Sequence, residues 1–270
     1  MRPVITLLTD FGHRDGFVGI MKGVILNIAP EANIVDISHE VPPHDVPSAA
    51  FVLGQSYSYF PAETLHVVVV DPEVGSPRKI LYAEAGGYRF LVPDNNVLQF
   101  VLNRTPAKRV ISVTNSEFFL PRQSATFHGR DIFAPVAGHL ARGVDPQRLG
   151  EETREYRFVP PPEPRQEENF LVAEIIYIDH FGNLITNVRE EKFRQLLTGG
   201  RGFRVRLAGK EITELSESFY VKKHGELLAY MDSSQYLAFA LNGESAAEKM
   251  GISIGDRFEI ELLPKTELHR

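Results

Sequence analysis

Three side chains in two separate segments have the chemistry to hold and activate one water molecule. Asp71 and Arg78 lie seven residues apart in VVVVDPEVGSPRK, and His128 lies in TFHGRD. The fixed positive charge of an arginine stabilises hydroxide character, and either the aspartate or the histidine could take up the proton. If the three meet, the set suits attack by water on an electrophile whose leaving group needs no acid.

The same residue types also permit a metal site. Four residues have side chains that are hard or borderline metal ligands: Asp10, Asp71, His128 and Asp131. A metal-dependent phosphoesterase is therefore a competing hypothesis. Against it, the sequence has no HExxH motif and no EF-hand spacing, and a divalent cation would repel Arg78 unless a phosphate lay between them. Arg130 and Asp131 are expected to form local structure, since a carboxylate is favoured near a helix N-terminus.

Three aspartates follow strand-like runs and could line one edge of a sheet. Asp10 follows VITLLT, Asp71 follows LHVVVV and Asp94 follows FLVP. In open α/β sheets, ligands bind at the carboxyl ends of the strands. An aspartate in this position can also simply cap a turn, but three of them beside Gly, Pro or Asn favour a ligand site.

A second group of candidate residues follows a later strand-like run, in YIDHFGNLITN (177–187). Phe181 offers a face for stacking on a planar base, Asn183 could read an adenine edge with its paired donor and acceptor, and Asp179 could bind an ammonium group. Ser233 adds a hydroxyl in the later MDSSQ segment. The alternative is a plain hairpin, and the segment through Asn187 is interpreted as a turn.

The distribution of these patterns predicts an α/β protein of two domains. Residues 1–158 alternate strand-like and amphipathic runs, which predicts an α/β sandwich with a mostly parallel sheet. The Pro-rich stretch 159–169 is expected to be a linker. Residues 170–270 are strand-rich with one short helix at ESAAEKMG, which predicts a smaller β-barrel domain.

Composition narrows the classes of function. The net charge is −6, which argues against a general nucleic-acid binder. The chain has no cysteine, so disulfides, thiolate metal sites and a cysteine nucleophile are excluded. Its apolar runs are too short for a membrane span. We therefore expect a cytoplasmic protein without membrane or nucleic-acid partners.

Six segments of the chain resemble, in sequence and in order, the S-adenosyl-L-methionine hydroxide adenosyltransferases, which are relatives of the bacterial fluorinase and chlorinase. They are TDFGHRDGFVGIMKGVI, IVDISHEVPPHDV, VVVVDPEVGSPRK, VPDNN, TFHGRDIFAPVA and IDHFGNLITN. The resemblance extends nearly end to end. It implies a hydrolase in which water or hydroxide displaces methionine from C5′ of S-adenosyl-L-methionine, giving adenosine and L-methionine.

The resemblance also implies residue roles and an assembly. Asp71, Arg78 and His128 would hold the water, and Asp10 would recognise the ribose hydroxyls. Contacts to adenine and methionine would come from Asp179, Phe181, Asn183 and Ser233. The family uses no metal and no separate cofactor. It is typically homotrimeric, with each site between the N-terminal domain of one subunit and the C-terminal domain of the next.

Three positions depart from the pattern of this family. Glu73 and Asn96 stand where glycine is usual, which puts the geometry of their loops in question, and Asp232 stands in place of asparagine. Halide-dependent adenosyl transfer and a non-catalytic sensor of an adenosine ligand stay open beside hydrolysis and the metal-dependent phosphoesterase.

Overall fold

The computed structural model describes residues 2–122 and 124–264 and divides the chain into two compact units, one ending at Pro161 and one beginning at Pro162. Within the described ranges, no helix is both long and apolar enough to cross a bilayer. The N-terminal unit is a mixed α/β unit and the C-terminal unit is mostly β.

The N-terminal unit contains a seven-stranded sheet in the order β2-β1-β3-β5-β4-β6-β7. Its strands are β1 Val4–Thr9, β2 Asn33–Ser38, β3 Leu65–Val69, β4 Ile80–Ala85, β5 Tyr88–Pro93, β6 Arg109–Val113 and β7 Gly150–Glu152. Strand β3 lies near the centre of the sheet and all its residues are buried, as its unbroken apolar sequence predicts.

Three strand pairs of this sheet are parallel and three are antiparallel, so the prediction of a mostly parallel sheet is wrong. The cause is the hairpin between β4 and β5. Gly86 and Gly87 both have positive φ, 59° and 83°, which is the backbone of a two-residue hairpin turn. A hairpin reverses the chain, so β4 runs against β5, and β6 and β7 continue the alternation.

Four α-helices cover the N-terminal sheet: α1 Phe17–Ile28, α2 Val46–Ser56, α3 Gln99–Arg104 and α4 Ala134–Ala141. Helices α1 and α4 pack together over the core cluster that contains Ile5 and Leu7 of β1, and α2 packs against α3. The segment DVPSAAF (45–51) predicts a helix capped by Asp45, and α2 begins there, with Asp45 accepting the backbone N–H of Ser48 at 3.0 Å.

Short helical turns complete the N-terminal unit. The 3₁₀ turns are Tyr57–Tyr59, Ser116–Phe118 and Pro146–Leu149, and a π-helical turn, Gly129–Phe133, runs directly into α4. The run RDIFAPVAGHLARG (130–143) predicts one continuous helix, so the π turn departs from that prediction. The extra residue of a π turn changes which side chains face the core, and such turns are frequent at functional sites.

The C-terminal unit contains an eight-stranded antiparallel sheet, in which seven strands follow the order β12-β11-β15-β9-β10-β14-β13 and β8 pairs with β9. Its strands are β8 Arg165–Glu167, β9 Phe170–Ile178, β10 Leu184–Arg189, β11 Gly202–Leu207, β12 Lys210–Ile212, β13 Leu227–Met231, β14 Tyr236–Leu241 and β15 Arg257–Leu263. The edge strands β12 and β13 come close together, so the sheet is nearly barrel-like.

Two features of this unit differ from the sequence prediction. Residues Thr186 and Asn187 lie in β10 and not in a turn. Among its described residues the unit also has two α-helices, α5 Glu190–Leu196 and α6 Ala246–Met250, where only the second was predicted. Helix α5 carries acidic residues in its first turn and Arg194 in its last, which suits the helix dipole.

Candidate active site

A cavity of about 300 Å³ lies at the carboxyl ends of β1 and β3 in the N-terminal unit. It is lined by Asp10 from the loop after β1, by Asp71 and Val74 from the loop after β3, and by residues 126–129 at the start of the π-helical turn. Loops with large sequence separation therefore meet at one edge of the sheet, where the topology of an α/β sheet favours ligand binding.

Asp71, Arg78 and His128 form a continuous hydrogen-bonded set at this cavity. Arg78 Nε donates to Asp71 Oδ2 at 2.8 Å, and Arg78 Nη2 donates to the same oxygen. Nη2 also contacts His128 Nδ1 at 2.9 Å. The side chains of Asp71 and Arg78 are each only 4% exposed. The ion pair is thus held in a dry environment, where electrostatic interactions are stronger than in water.

These contacts define the hydrogen-bonding role of each atom. A guanidinium only donates, so His128 Nδ1 accepts from Arg78, and a neutral His128 carries its proton on Nε2. Asp71 Oδ1 is buried and has no hydrogen-bond partner among the described residues. The set therefore provides one carboxylate oxygen free to accept a proton and one imidazole N–H free to donate.

The pKa of His128 is lowered from its ordinary value. Burial is the largest cause and the positive charge of Arg78 adds to it, while the carboxylates of Asp71 and Asp131 act in the opposite direction. The neutral imidazole is consequently the favoured form near pH 7.

Asp10 and three phenylalanines complete the walls of the cavity. Asp10 Oδ2 accepts the backbone N–H of His44 at 2.8 Å. Phe11, Phe17 and Phe127 contact one another edge to face, with ring centroids 5.2–5.9 Å apart. The sequence predicted Asp10 as a site residue but missed these rings, because Phe127 is distant along the chain from Phe11 and Phe17.

Asp131 does not join the cavity, and this argues against the metal-site hypothesis. Its carboxylate accepts N–H groups from Arg130 and from the backbone of Ser124. Over the residues that the structure describes, no group of three or more His, Asp or Glu side chains has the arrangement to hold a metal ion.

A second cavity, of about 580 Å³, lies in the C-terminal unit and contains three of the predicted residues. Asp179 and Asn183 form part of its wall, together with Phe181, whose side chain is 74% exposed. The rings of Phe219 and Tyr230, 5.0 Å apart, form another part. The sequence did not single out these two aromatic residues, because they lie in different segments and match no motif.

The carboxylate of Asp179 organises the turn between β9 and β10. Its Oδ1 accepts the backbone N–H groups of Phe181 and Asn183, both at 2.9 Å, and its Oδ2 accepts the side-chain amide of Asn183 at 2.7 Å. Ser233, which the sequence also predicted as a site residue, lies exposed in the turn between β13 and β14.

Comparisons with known proteins identify the family. The SAM hydroxide adenosyltransferase N-terminal domain matches residues 5–150, and the C-terminal domain of the same family matches residues 173–259. The chain belongs to the SAM hydroxide adenosyltransferase family. The resemblance inferred from the sequence is confirmed.

Individual relatives agree with this assignment. The chain is 36% identical to a (R)-S-adenosyl-L-methionine hydrolase of Salinispora tropica, over 96% of this chain and 97% of the relative. It is 27% identical to a fluorinase of Nocardia brasiliensis, over 97% of each chain. The crystal structure of an uncharacterized conserved protein from Thermotoga maritima superimposes with a TM-score of 0.88 at 36% identity, covering 95% of this chain and 99% of that one.

Two of the three residues that depart from the pattern of the SAM hydroxide adenosyltransferases, Glu73 and Asn96, form polar contacts with the segment that follows β7. Glu73 pairs with Arg157 at 2.9 Å. Asn96 accepts the N–H of Val159 at 2.8 Å and donates to its carbonyl at 3.1 Å. Asn96 has φ +75°, a region that asparagine tolerates better than most residues. Asp94, the third strand-end aspartate, accepts the N–H of Arg157 at 2.7 Å.

The third departure, Asp232, belongs to the turn between β13 and β14. Its Oδ1 accepts the N–H groups of Ser234 at 2.9 Å and of Tyr236 at 2.7 Å. Burial raises the pKa of Asp232, and these two amides oppose the rise. Asp232 therefore has a structural role in this turn.

Proposed function

We propose that this protein hydrolyses S-adenosyl-L-methionine to adenosine and L-methionine by direct attack of water at C5′. The observation that carries the proposal is the joined Asp71–Arg78–His128 set at one cavity with Asp10. The near full-length likeness to a relative named as a (R)-S-adenosyl-L-methionine hydrolase supports the same substrate.

Each member of the set has a distinct task in the proposed reaction. The water donates a proton to Asp71 Oδ1, the buried oxygen that has no hydrogen-bond partner among the described residues. His128 Nε2–H donates to the oxygen of the water and orients it. Arg78 keeps the second carboxylate oxygen occupied and supplies positive charge beside the developing hydroxide.

The leaving group explains why this set is sufficient. As the new C5′–O bond forms, the C5′–S bond breaks and its electron pair passes to sulfur, which leaves as the neutral thioether of methionine. No general acid is needed. Hydroxide and sulfonium largely neutralise each other's charge in the transition state, so a site with little water favours that state over the separated ions.

Substrate recognition is proposed to use groups from both units. Asp10 would bind the ribose hydroxyls beside the water. In the C-terminal unit, Phe181 would stack on adenine and Asn183 would contact its edge, while Asp179 would attract the ammonium of the methionine moiety. Ser233 would donate a hydrogen bond to the methionine carboxylate.

The proposal includes the assembly and the location expected from the sequence. We infer a cytoplasmic homotrimer, in which the N-terminal unit of one subunit and the C-terminal unit of the next contribute to each site. The net charge of −6 supports a small-molecule substrate in place of nucleic acid. Neither a metal nor a separate cofactor is part of the proposal.

The decisive experiment is incubation with S-adenosyl-L-methionine in ¹⁸O-labelled water, followed by chromatography and mass spectrometry. We expect adenosine and L-methionine in equal amounts, with the heavy oxygen on the 5′ carbon of adenosine. Turnover without label at that position would contradict direct attack by water.

Two further reactions in the same series separate the alternatives. Activity that persists after exhaustive chelation, without release of phosphate, rules out the metal-dependent phosphoesterase. Fluoride or chloride added to a parallel reaction should produce no 5′-halogenated nucleoside. Bound adenosine without turnover would favour the sensor.

A further inference from the structure

Asp131 is a buried charge that the proposed reaction does not use. It is 0% exposed, and its carboxylate accepts Arg130 Nε at 2.6 Å, Arg130 Nη2 at 3.0 Å and the backbone N–H of Ser124 at 2.6 Å. Burial would raise the pKa of Asp131, but these partners outweigh burial and keep it below the ordinary value. An ion held this firmly inside a protein constrains the backbone around it.

Asp131 takes part in backbone hydrogen bonds that hold the segment carrying His128. The carbonyl of Phe127 accepts the N–H groups of Arg130 at 3.2 Å and of Asp131 at 3.1 Å. The carbonyl of Asp131 accepts the N–H of Leu120 at 2.9 Å. The guanidinium of Arg130 also stacks over the ring of Phe127, with 5.1 Å from Cζ to the ring centroid.

The contact between Asp131 and Ser124 extends towards the cavity. The hydroxyl of Ser124 lies 3.0 Å from that of Thr126 and accepts the N–H of Thr126 at 3.2 Å. Between them, the carbonyl of Ala125 lies against Gly75 so closely that a Cβ on Gly75 would meet it at 2.5 Å. Segment 124–128 is therefore the surface against which the 71–78 loop packs.

We propose that Asp131 is a positioning residue for the reaction. Its carboxylate, held by Arg130, fixes segment 124–128 against the 71–78 loop, so that His128 Nδ1 meets Arg78. The inference rests on the proposed function of the Asp71–Arg78–His128 set and adds Asp131 and Arg130 as the support of that set.

Asp131 also contributes a charge to this environment. The charged groups around His128 are Arg78 and Asp71 from the loop after β3 and Asp131 from its own turn, and Asp10 lines the same cavity. Of these, Asp131 acts with Asp71 to raise the pKa of His128 against burial and Arg78. Removal of the Asp131 charge should therefore lower the pKa of His128 further, an effect that loss of packing alone would not produce.

The first test compares Asp131→Asn with Arg130→Gln and a matched control, Glu117→Gln. Glu117 pairs with Arg148 at 3.2 Å on an exposed part of the same unit. For Asp131→Asn we expect kcat to fall about 10- to 100-fold with KM changed less than about threefold, since a small displacement of a catalytic group carries this cost. Arg130→Gln should lower kcat in the same direction, and Glu117→Gln should leave it unchanged.

The second readout is the titration of His128 by ¹H–¹⁵N NMR, which requires no substrate. Its midpoint should move to lower pH in Asp131→Asn, which removes a charge that raises it, and stay in place in Glu117→Gln. Wild-type kcat in folded Asp131→Asn would overturn the inference, whatever the midpoint of His128. If Asp131→Asn does not fold by circular dichroism, wild-type kcat in folded Arg130→Gln would overturn it.

These readouts separate the inference from the proposed function. Failure of the wild-type protein to hydrolyse S-adenosyl-L-methionine would refute the proposed function, and the NMR titration would still decide whether Asp131 acts on His128. Normal wild-type hydrolysis with unaffected variants would refute the role of Asp131 alone.

Discussion

At the residue scale, the guanidinium of Arg78 determines what its two neighbours can do. It donates to Asp71 Oδ2 and to His128 Nδ1. The sequence left Asp71 and His128 as equal candidates for the base, because the choice depends on which atom of each side chain is already occupied. With Nδ1 accepting and Oδ1 of Asp71 free among the described residues, the proposed base is the carboxylate.

Asp71→Asn tests this assignment. An amide has nearly the same shape but accepts a proton poorly, so kcat should fall by about 10² to 10⁴, the range for general base catalysis. KM should change little, and steady-state release of adenosine measures both. Asp94→Asn is the control, since Asp94 also follows a strand but binds the Arg157 amide. Wild-type kcat in Asp71→Asn would contradict the proposed base.

The pH profile tests the state of His128. Only the neutral ring accepts from Arg78, so kcat/KM should be lost as pH falls through the pKa of His128. Burial and Arg78 lower that pKa, which places the loss below the ordinary value of about 6.5. In His128→Asn, which cannot titrate, this limb should disappear from the profile at a lower overall rate. If the acidic limb of the kcat/KM profile remains in His128→Asn with the same midpoint, a group other than His128 causes it.

At the element scale, strands, turns and helix caps with a strong local sequence pattern can be predicted from the sequence, whereas contacts between loops cannot. The apolar run LHVVVV predicts a buried strand, Asp45 before Pro47 predicts a helix start, and Gly86-Gly87 predicts a hairpin turn. The structure confirms all three, in β3, in α2 and between β4 and β5. The π-helical turn at Gly129–Phe133 was not predicted. Its conformation depends on partners such as Leu120 and Ser124, which are distant from any helical periodicity.

Gly75→Ala tests the packing of two loops. Gly75 has φ +82°, and a Cβ there would meet the backbone carbonyl of Ala125 at 2.5 Å. We expect the loops to separate and kcat to fall by up to about 10², since displacement of positioned groups is costly. Gly87→Ala is a matched control, with a similar φ of +83° and no atom within 4 Å. If both variants keep wild-type kcat in the hydrolysis assay, the contact has no catalytic importance.

His66 in β3 predicts how the N-terminal unit responds to acid. Burial lowers its pKa to about 4, and its ring stacks on Phe90 at 5.3 Å. Because the folded pKa lies below the ordinary 6.5, the unfolded chain binds the proton first as pH falls from about 6.5 to 4. By pH 4, this preferential protonation of the unfolded chain lowers the free energy of unfolding by about 3 kcal/mol.

His66→Phe should show this acid-dependent loss reduced by about that amount, whatever its stability at pH 7. Chemical denaturation followed by circular dichroism at pH 7 and pH 4 measures the difference. His224→Gln serves as the control, because His224 is exposed, with 73% of its side chain accessible, and should keep the wild-type loss. An equal loss in His66→Phe would mean that other groups cause it.

At the scale of the whole molecule, the proposed substrate-binding groups are divided between two compact units. The proposed water-holding set and Asp10 lie before Pro161, and the proposed adenine and methionine contacts lie after Pro162. The sequence predicted two parts from the change in pattern along the chain. Which chain completes each site depends on the assembly, and the homotrimer is a proposal drawn from the family.

Mixing two impaired variants tests the shared site. Asp71→Asn removes the proposed base of the N-terminal unit, and Phe181→Ala removes the proposed stacking face of the C-terminal unit. At substrate concentrations below the wild-type KM, each variant alone should have almost no activity. After the two are unfolded and refolded together in equal amounts, random assembly gives each site about one chance in four of receiving both intact halves. We therefore expect about a quarter of wild-type activity, in a species of trimeric mass by light scattering. No recovery in a properly refolded mixture would place both halves of each site in a single chain, because then every site carries one of the two substitutions.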